Sequence, residues 1–426
     1  MMKEYKLSKY NIYHEAPYFV ANTFTGSEQL MEKEEYIALK ELQLDFFDDE
    51  TVKLLEEAGI IVESSCDEQN LVLNAYDLCK HDCGNKNKHM QITIAPSLYC
   101  NFNCPYCYEK KTTACMSQKI LNQICLFVKK RVIESQISVL NICWYGGEPL
   151  LQMKSIEQIS RKLISFCESR GVEYRASMIT NGYCVTEKVA DKLLKLKIKN
   201  LQITIDGDKE THDQRRILAN GNGTYDVITK NILLLGNKGI QVAVRVNLDK
   251  SNIEQYQYVV SIFTGKENIS CYPAVVTVED TQSAEQKKIC FSHSERGEFY
   301  DRIFEFADAK AKECLCANFE PGVCNCSAEH ENSFVIGPEG DIFKCLNDIC
   351  DKEFAVGHVC ADVVKNETWK KYVERNLSEE TECRDCPYLP MCYGGCVYEY
   401  KKHGSHACKP VKYLYEKNII EKITSN

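Results

Sequence analysis

The stretch 91-QITIAPSLYCNFNCPYCYEK-110 joins an apolar, β-prone run to three cysteines spaced C-x3-C-x2-C: Cys100, Cys104 and Cys107. Three thiolates within eight residues can cap one face of an iron–sulfur cube and leave one iron without a protein ligand. A structural zinc would close its coordination with a fourth ligand from elsewhere, such as His89. Spacing alone leaves both metals open. Position adds to it: the loop follows a strand directly, at the carboxyl end, where parallel βα folds place their active sites.

Working outward, further strand candidates follow at 139–145 (VLNICWY), 173–179 (EYRASMI), 200–205 (NLQITI), 241–247 (QVAVRVN) and 270–277 (SCYPAVVT). Amphipathic helical stretches lie between them, near 116–134, 154–170, 186–197, 224–236 and 252–262. Repeated βα units predict an α/β fold with a parallel sheet and outer helices, as an open sheet or a full or partial barrel. Short polar motifs sit at the successive strand ends. Gly146-Gly147-Glu148-Pro149 follows the second strand and Thr180-Asn181-Gly182 the third. Thr204-Ile205-Asp206-Gly207 ends the fourth, with His212-Asp213-Gln214-Arg215-Arg216 shortly after, and Arg245 and Asn247 fall at the end of the fifth. Taken singly, each reads as a turn or surface group, and the first as a glycine turn with Pro149 near a helix start.

After about residue 290 the pattern changes. A helix near 294–312 precedes a Cys-rich region with little periodicity, which can barely form an apolar core; metal sites are the substitute. Cys326 is followed by Gly340 and Cys345, then by Cys383-x2-Cys386-x5-Cys392-x3-Cys396 and finally Cys408. By spacing alone these could be a pair of zinc knuckles. The C-x-C pairs Cys314/Cys316 and Cys324/Cys326 add candidate ligands. Isolated cysteines such as Cys125, Cys143, Cys167, Cys184 and Cys290 read as small buried apolar residues. Cys79 and Cys83 read as free thiols.

Residues 10–25 suggest a strand pair turning near Ala16-Pro17, followed by helices near 31–43 and 49–58 and a short strand at Ile60-Ile61-Val62. This order fits a small winged-helix-like module, with 80–89 (KHDCGNKNKH) as a polar linker. The expected domains are 1–85, 89–290 and 291–426. The chain has 426 residues, 44% of them hydrophobic, so it can bury large cores. A net charge of −9 without a basic tract argues against nucleic-acid binding. No apolar run approaches membrane-spanning length and the start lacks a signal-peptide pattern, so a cytoplasmic protein is expected. Twenty-five cysteines in such a chain read as metal ligands or redox groups.

The cysteine spacing, with aromatic Tyr106 just before Cys107, resembles the signature of the radical S-adenosylmethionine (SAM) superfamily. Gly146, Gly147, Glu148 and Pro149 are similar to its GGEP motif, whose backbone and Glu receive the SAM amino group. Thr180 and Asn181 resemble its TNG segment. Thr204 and Asp206 resemble S-x-D-G, with Thr204 where Ser is commoner. Arg216 falls in an H-D-x-x-R pattern and would neutralise the SAM carboxylate, and Arg245 and Asn247 match R-x-N. The C-terminal cysteines resemble the seven-cysteine SPASM domain, which carries auxiliary [4Fe–4S] clusters.

The resemblance implies a partial (β/α)6 TIM-like barrel with [4Fe–4S] at Cys100, Cys104 and Cys107. Cys383, Cys386, Cys392 and Cys408 would hold a distal auxiliary cluster. Cys326, Cys345 and Cys396 would hold a proximal one, its fourth ligand being Cys324, Cys316, Cys314 or absent. It also implies reductive cleavage of SAM to a 5′-deoxyadenosyl radical, with electrons from a flavodoxin or ferredoxin. The N-terminal module resembles the leader-recognition element of maturases of ribosomally made peptides, which implies a precursor-peptide partner and a thioether or carbon–carbon crosslink as product. Anaerobic sulfatase maturases share the core and the C-terminal pattern. In them an Asp commonly follows the cysteine equivalent to Cys345; here Leu346 stands there, with Asp348 two further on. A non-catalytic metal scaffold is the reading of another class.

Overall fold

The computed structural model describes residues 3–81, 88–279, 282–317, 319–322, 326–349 and 351–424. Two compact units emerge. One comprises Met1–Cys83, Cys316–Cys326 and Arg375–Asn426; the other comprises Gly84–Leu315 and Ser327–Glu374.

The first unit begins with strand β1 (Tyr5–Leu7) and an antiparallel sheet of β2 (Asn11–Glu15), β3 (Tyr18–Asn22) and β4 (Ser27–Leu30) in that order. The β2–β3 hairpin turns at a cis Ala16–Pro17 bond. Helices α1 (Lys33–Lys40) and α2 (Asp49–Glu57) come next, then β5 (Ile61–Glu63), which pairs with β1, and α3 (Glu68–His81). Asp48 caps α2 by accepting the Thr51 N–H. Alternation along β3 serves two cores. Val20 packs with Tyr36, Leu39, Leu55 and Ile60. Phe19 and Ala21 point the other way, onto Tyr388, Met391, Cys392 and Tyr415 of the C-terminal segment.

Helix α3 is not legible from turn signals, yet Val72 and Tyr76, one turn apart, bury against Tyr10, Leu377, Leu389 and Tyr393. Cys79 is disulfide-bonded, which corrects the free-thiol expectation for it. Cys83 lies outside the described residues.

In the second unit β6 (His89–Ile94), β7 (Val139–Trp144), β8 (Glu173–Ile179), β9 (Ile198–Thr204), β10 (Gln241–Leu248) and β11 (Ile269–Val275) run parallel in chain order. Between them pass α4 (Gln118–Glu134), α5 (Met153–Arg170), α6 (Glu187–Lys195), α7 (Lys209–Arg215), α8 (Tyr225–Asn237) and α9 (Gln255–Phe263). This is the α/β series read from the sequence, and it stays open, with β11 at one edge. After α10 (Ala284–Ile289), α11 (Arg296–Phe306) and α12 (Ala309–Cys316), the chain returns to the sheet. β12 (Ser333–Ile336) pairs parallel to β6, and β13 (Asp341–Phe343), β14 (Gly357–His358) and β15 (Asp362–Val363) extend that side antiparallel.

The period-two pattern divides the parallel strands into two faces. Ile92, Ile142, Met178, Ile203 and Val244 are buried, whereas Asn141, Cys143, Ser177, Gln202, Arg245 and Tyr272 on the opposite face are half-buried. The sheet therefore keeps one polar, accessible face, and the strand-end motifs open onto it.

Candidate active site

The segment from Ser97 to Asn103 leaves β6 and is fastened on both sides by backbone hydrogen bonds. Gly147 and Glu148 donate to the carbonyls of Ser97 and Tyr99, at 3.2 and 3.0 Å. On the far side Asn103 donates to the Ile217 carbonyl at 2.7 Å and Ala219 to that of Asn101 at 2.9 Å. The glycines explain the first seam: a Cβ on Gly146 would stand 2.2 Å from the Ser97 carbonyl oxygen, and one on Gly147 2.4 Å from that of Tyr99. Pro149 follows, buried at the start of a short 3-10 turn, Pro149–Gln152.

Glu148 is fully buried and ties two strand ends together. Its carboxylate accepts from the Thr180 hydroxyl at 2.6 Å, the Asn181 N–H at 2.7 Å and the Leu150 N–H at 2.9 Å. Burial pushes its carboxyl above the ordinary value and these three donors pull it back. Asn181 continues the tie to Asn101, with 2.8 Å between Nδ2 and Oδ1.

Tyr106, Asp206, Arg215 and Arg216 form a second buried knot. Arg216 Nη1 donates to the Tyr106 hydroxyl at 3.0 Å, which donates to Asp206 Oδ2 at 2.6 Å. Arg215 Nε reaches the same oxygen at 3.3 Å, and its other end pairs with Asp249. The two guanidinium groups lie over Tyr106 and Phe102, 5.0 and 5.5 Å from the ring centroids, each contact worth roughly 0.5–2 kcal/mol.

His212 holds the knot from behind. Its Nδ1 accepts the Asp206 N–H at 3.3 Å, which leaves Nε2–H to donate to Thr224 Oγ1 at 3.1 Å; that hydroxyl donates to the Arg216 carbonyl. Burial, with Arg216 nearby, lowers the imidazole pKa to about 4, so it is neutral near pH 7.

Thr204, Arg245 and Asn247 lie on the polar face, Arg245 in register between Thr204 and Tyr272. Arg245 Nε donates to Asn247 Oδ1 at 2.8 Å, and the Tyr272 hydroxyl to Gln202 Oε1 at 2.6 Å. Arg215, Gln202 and Tyr272 escape the sequence reading. The signal for Gln202 is the polar alternation in Gln202-x-Thr204.

The donor set fits a cluster and a zwitterionic ligand. None of Cys100, Cys104 and Cys107 is disulfide-bonded, and all are half-buried. Burial pushes Cys100 up to about 12 and Cys107 up to about 11, so thiolates here call for a bound cation. Two N–H groups already face the Cys100 sulfur, Phe102 N at 3.4 Å and Asn181 Nδ2 at 3.9 Å. Close by, Arg216 Nε and Asp206 Oδ1 are buried without hydrogen-bond partners, a donor and an acceptor awaiting a polar ligand. A model of the radical SAM superfamily matches residues 94–261. Residues 94–261 of this chain are a radical SAM domain.

Relatives agree. A cysteine-type anaerobic sulfatase-maturating enzyme of Clostridium novyi is 22% identical over 78% of this chain and 96% of its own length. The mycofactocin maturase MftC of Mycolicibacterium smegmatis is 25% identical over 70% of this chain and 75% of its own. Among solved structures, native anSMEcpe with bound AdoMet and Cp18Cys peptide superposes with a TM-score of 0.62 at 17% identity, over 79% of this chain and all of that one. The fold is thus shared with radical SAM maturases, the family works with a [4Fe–4S] cluster and SAM, and a scaffold without catalysis is set aside. Among the described residues no helix is long and apolar enough to cross a membrane.

The C-terminal cysteines divide. In the first unit Cys383, Cys386, Cys392 and Cys408 line one cavity together with His406 and Lys412. Burial raises the Cys383 thiol to about 12, and the thiols of Cys386 and Cys392 also lie above their usual value, each felt by the neighbouring Cys408. For Lys412, burial pulls the ammonium down, but Cys408 and Cys386 outweigh it and hold it above its usual value. Four thiols with a cation beside them fit an auxiliary cluster with closed ligation. Cys326 and Cys396 belong to this unit as well, whereas Cys345 belongs to the second. Cys324 lies outside the described residues.

Proposed function

We propose that this enzyme matures a ribosomally made precursor peptide, removing hydrogen from it and closing a thioether or carbon–carbon link. When bound, the cluster and SAM supply the one-electron chemistry that makes a hydrogen-abstracting agent, fed by a flavodoxin- or ferredoxin-type donor. The chain's own residues would hold the cluster and SAM. Cys100, Cys104 and Cys107 would ligate the cluster, and Arg216, Asp206 and the glycine seam would orient SAM. Cys383, Cys386, Cys392 and Cys408 would carry an auxiliary cluster.

The observation that carries the peptide reading is the outer edge of β4, which pairs with no further strand among the described residues. Its residues are largely exposed, Leu30 at 64%. Met31 N–H donates inward to Tyr18, so by alternation the N–H groups of Glu28 and Leu30 point outward, ready to pair with an added strand. Sulfatase maturation is the second reading, favoured by the Clostridium relative. The solved anSMEcpe structure is covered whole, whereas 79% of this chain is covered by it. Asp348 speaks against that reading: the carboxylate is buried and accepts from the Tyr372 hydroxyl at 2.8 Å.

Leu30→Pro tests the edge. Proline removes an outward N–H and leaves the inward ladder intact. With a short Cys-rich precursor encoded beside the gene as probe, leader binding should weaken at least about tenfold while uncoupled SAM cleavage persists. Wild-type enzyme should lower the mass of the core peptide by two hydrogens. Unchanged leader binding, or formylglycine formed in a sulfatase peptide instead, sinks the proposal.

A further inference from the structure

The cavity lined by the four C-terminal cysteines contains one group that the cluster-binding pattern does not use. His406, two residues before Cys408, has a side chain nine-tenths buried. Its ring lies flat on Tyr400, with centroids 4.6 Å apart and planes at 14°, so its orientation is fixed. Nδ1 has no hydrogen-bond partner; the nearest carboxylate oxygen, on Glu380, is 3.6 Å away. Glu380 is already held by Arg375 through two contacts of 2.7 Å. A ring nitrogen of His406, the Cys383 sulfur and a Glu380 oxygen all lie within 4.8 Å of one another.

A buried imidazole that has one unpartnered nitrogen and lies within 4.8 Å of a cysteine sulfur has a natural use. We propose that His406 is a positioning residue for the auxiliary cluster, donating an N–H hydrogen bond to the sulfur of Cys383 and raising the reduction potential of that cluster. This rests on the auxiliary-cluster reading above. The sign follows from charge. One added electron increases the negative charge on the thiolate sulfurs, so a donor aimed at one of them stabilises the reduced form more than the oxidised form. Lys412 acts in the same direction on Cys408 and Cys386. A cluster so biased is suited to take up the electron left when the substrate radical closes its bond.

The test is a redox titration of anaerobically reconstituted full-length enzyme, followed by electron paramagnetic resonance, for wild type, His406→Phe and His406→Gln. His406→Phe should keep its iron and shift one auxiliary signal to lower potential. His406→Gln, which retains an N–H donor, should recover part of the shift, and the SAM-cluster signal should not move. An unshifted auxiliary potential in iron-replete His406→Phe overturns the role of His406. So does loss of about four irons from both variants, which would make His406 a ligand. Wild-type enzyme that binds about four irons in total, or holds zinc at Cys383–Cys408, refutes the auxiliary cluster itself and is told apart by metal analysis before any titration.

Discussion

The loop at Cys100–Cys107 and the cavity at Cys383–Cys408 both gather thiols, but they are built by opposite means. The first is an extension of a ten-stranded sheet, seamed to its neighbours by backbone hydrogen bonds. Its three cysteines sit within eight residues, so the shape of the loop survives whether or not metal is present. The second is made from α13 (Thr381–Arg384) and α14 (Leu389–Cys392), each four residues long, with Cys408 arriving after α15 (Val397–His403) and before α16 (Val411–Thr424). Helices that short do not stand alone. Apolar packing and bound metal must hold them. On the proposed function, the site for chemistry would sit on a sheet-anchored loop, and the site for electrons would double as part of its unit's core.

The sharpest way to break this comparison is to remove one thiol from each site. Cys104→Ala should reduce SAM cleavage to background and leave the melting temperature within error. Cys392→Ala should release auxiliary iron and lower stability by about 2 kcal/mol, or about 4–8 °C in Tm. Calorimetry beside a deoxyadenosine assay reads both; equal Tm losses in the two variants would contradict the contrast.

A smaller effect on iron, at a larger distance in sequence, sharpens it. Phe19 is buried between β3 and the segment that carries Cys392. Phe19→Ala should cost about 3–4 kcal/mol and lower auxiliary iron retention, because the apolar packing behind Cys392 is lost. Iron analysis after gel filtration checks this, and full retention of iron would show the cavity to be self-supporting.

A further effect, gradual and not all-or-none, concerns pH. His212 has a folded pKa of about 4, below its unfolded value near 6.5, so the unfolded state binds the proton more readily. Its stabilising contribution is fully present above pH 6.5 and is lost as pH falls toward 4, up to about 3 kcal/mol. Between pH 7 and 5 denaturant melts of wild type should show the first part of that loss, and His212→Gln should flatten it.

Much of this was legible because the local signals agreed with the fold. The six parallel strands lie within a few residues of the apolar runs that announce them. The motifs after β6 to β9 converge because each leaves the same end of one sheet. What escaped detection is non-local. β12 has four residues, all buried, and nothing in SFVI names β6 as its partner. Arg215 reads as a surface group until Asp206 and Asp249, from two different strand ends, are seen beside it. Tyr106 was noted for its spacing; its bridge between Arg216 and Asp206 needs the third dimension. His406 gave no signal, because a histidine near a chain end is uninformative until its neighbours are known.

The pairing of β12 with β6 has a consequence for how the protein is made. Until the ribosome has passed Ile336, β6 has a neighbour on one side alone, and the strand that presents the Cys100–Cys107 loop is an exposed sheet edge. At ordinary translation speeds that interval lasts on the order of tens of seconds. During it three thiols and an unpaired strand face the cytosol of the synthesising cell together. Delivery of iron and sulfur is therefore best timed after release, when the last third of the chain has closed over the first strand of the sheet.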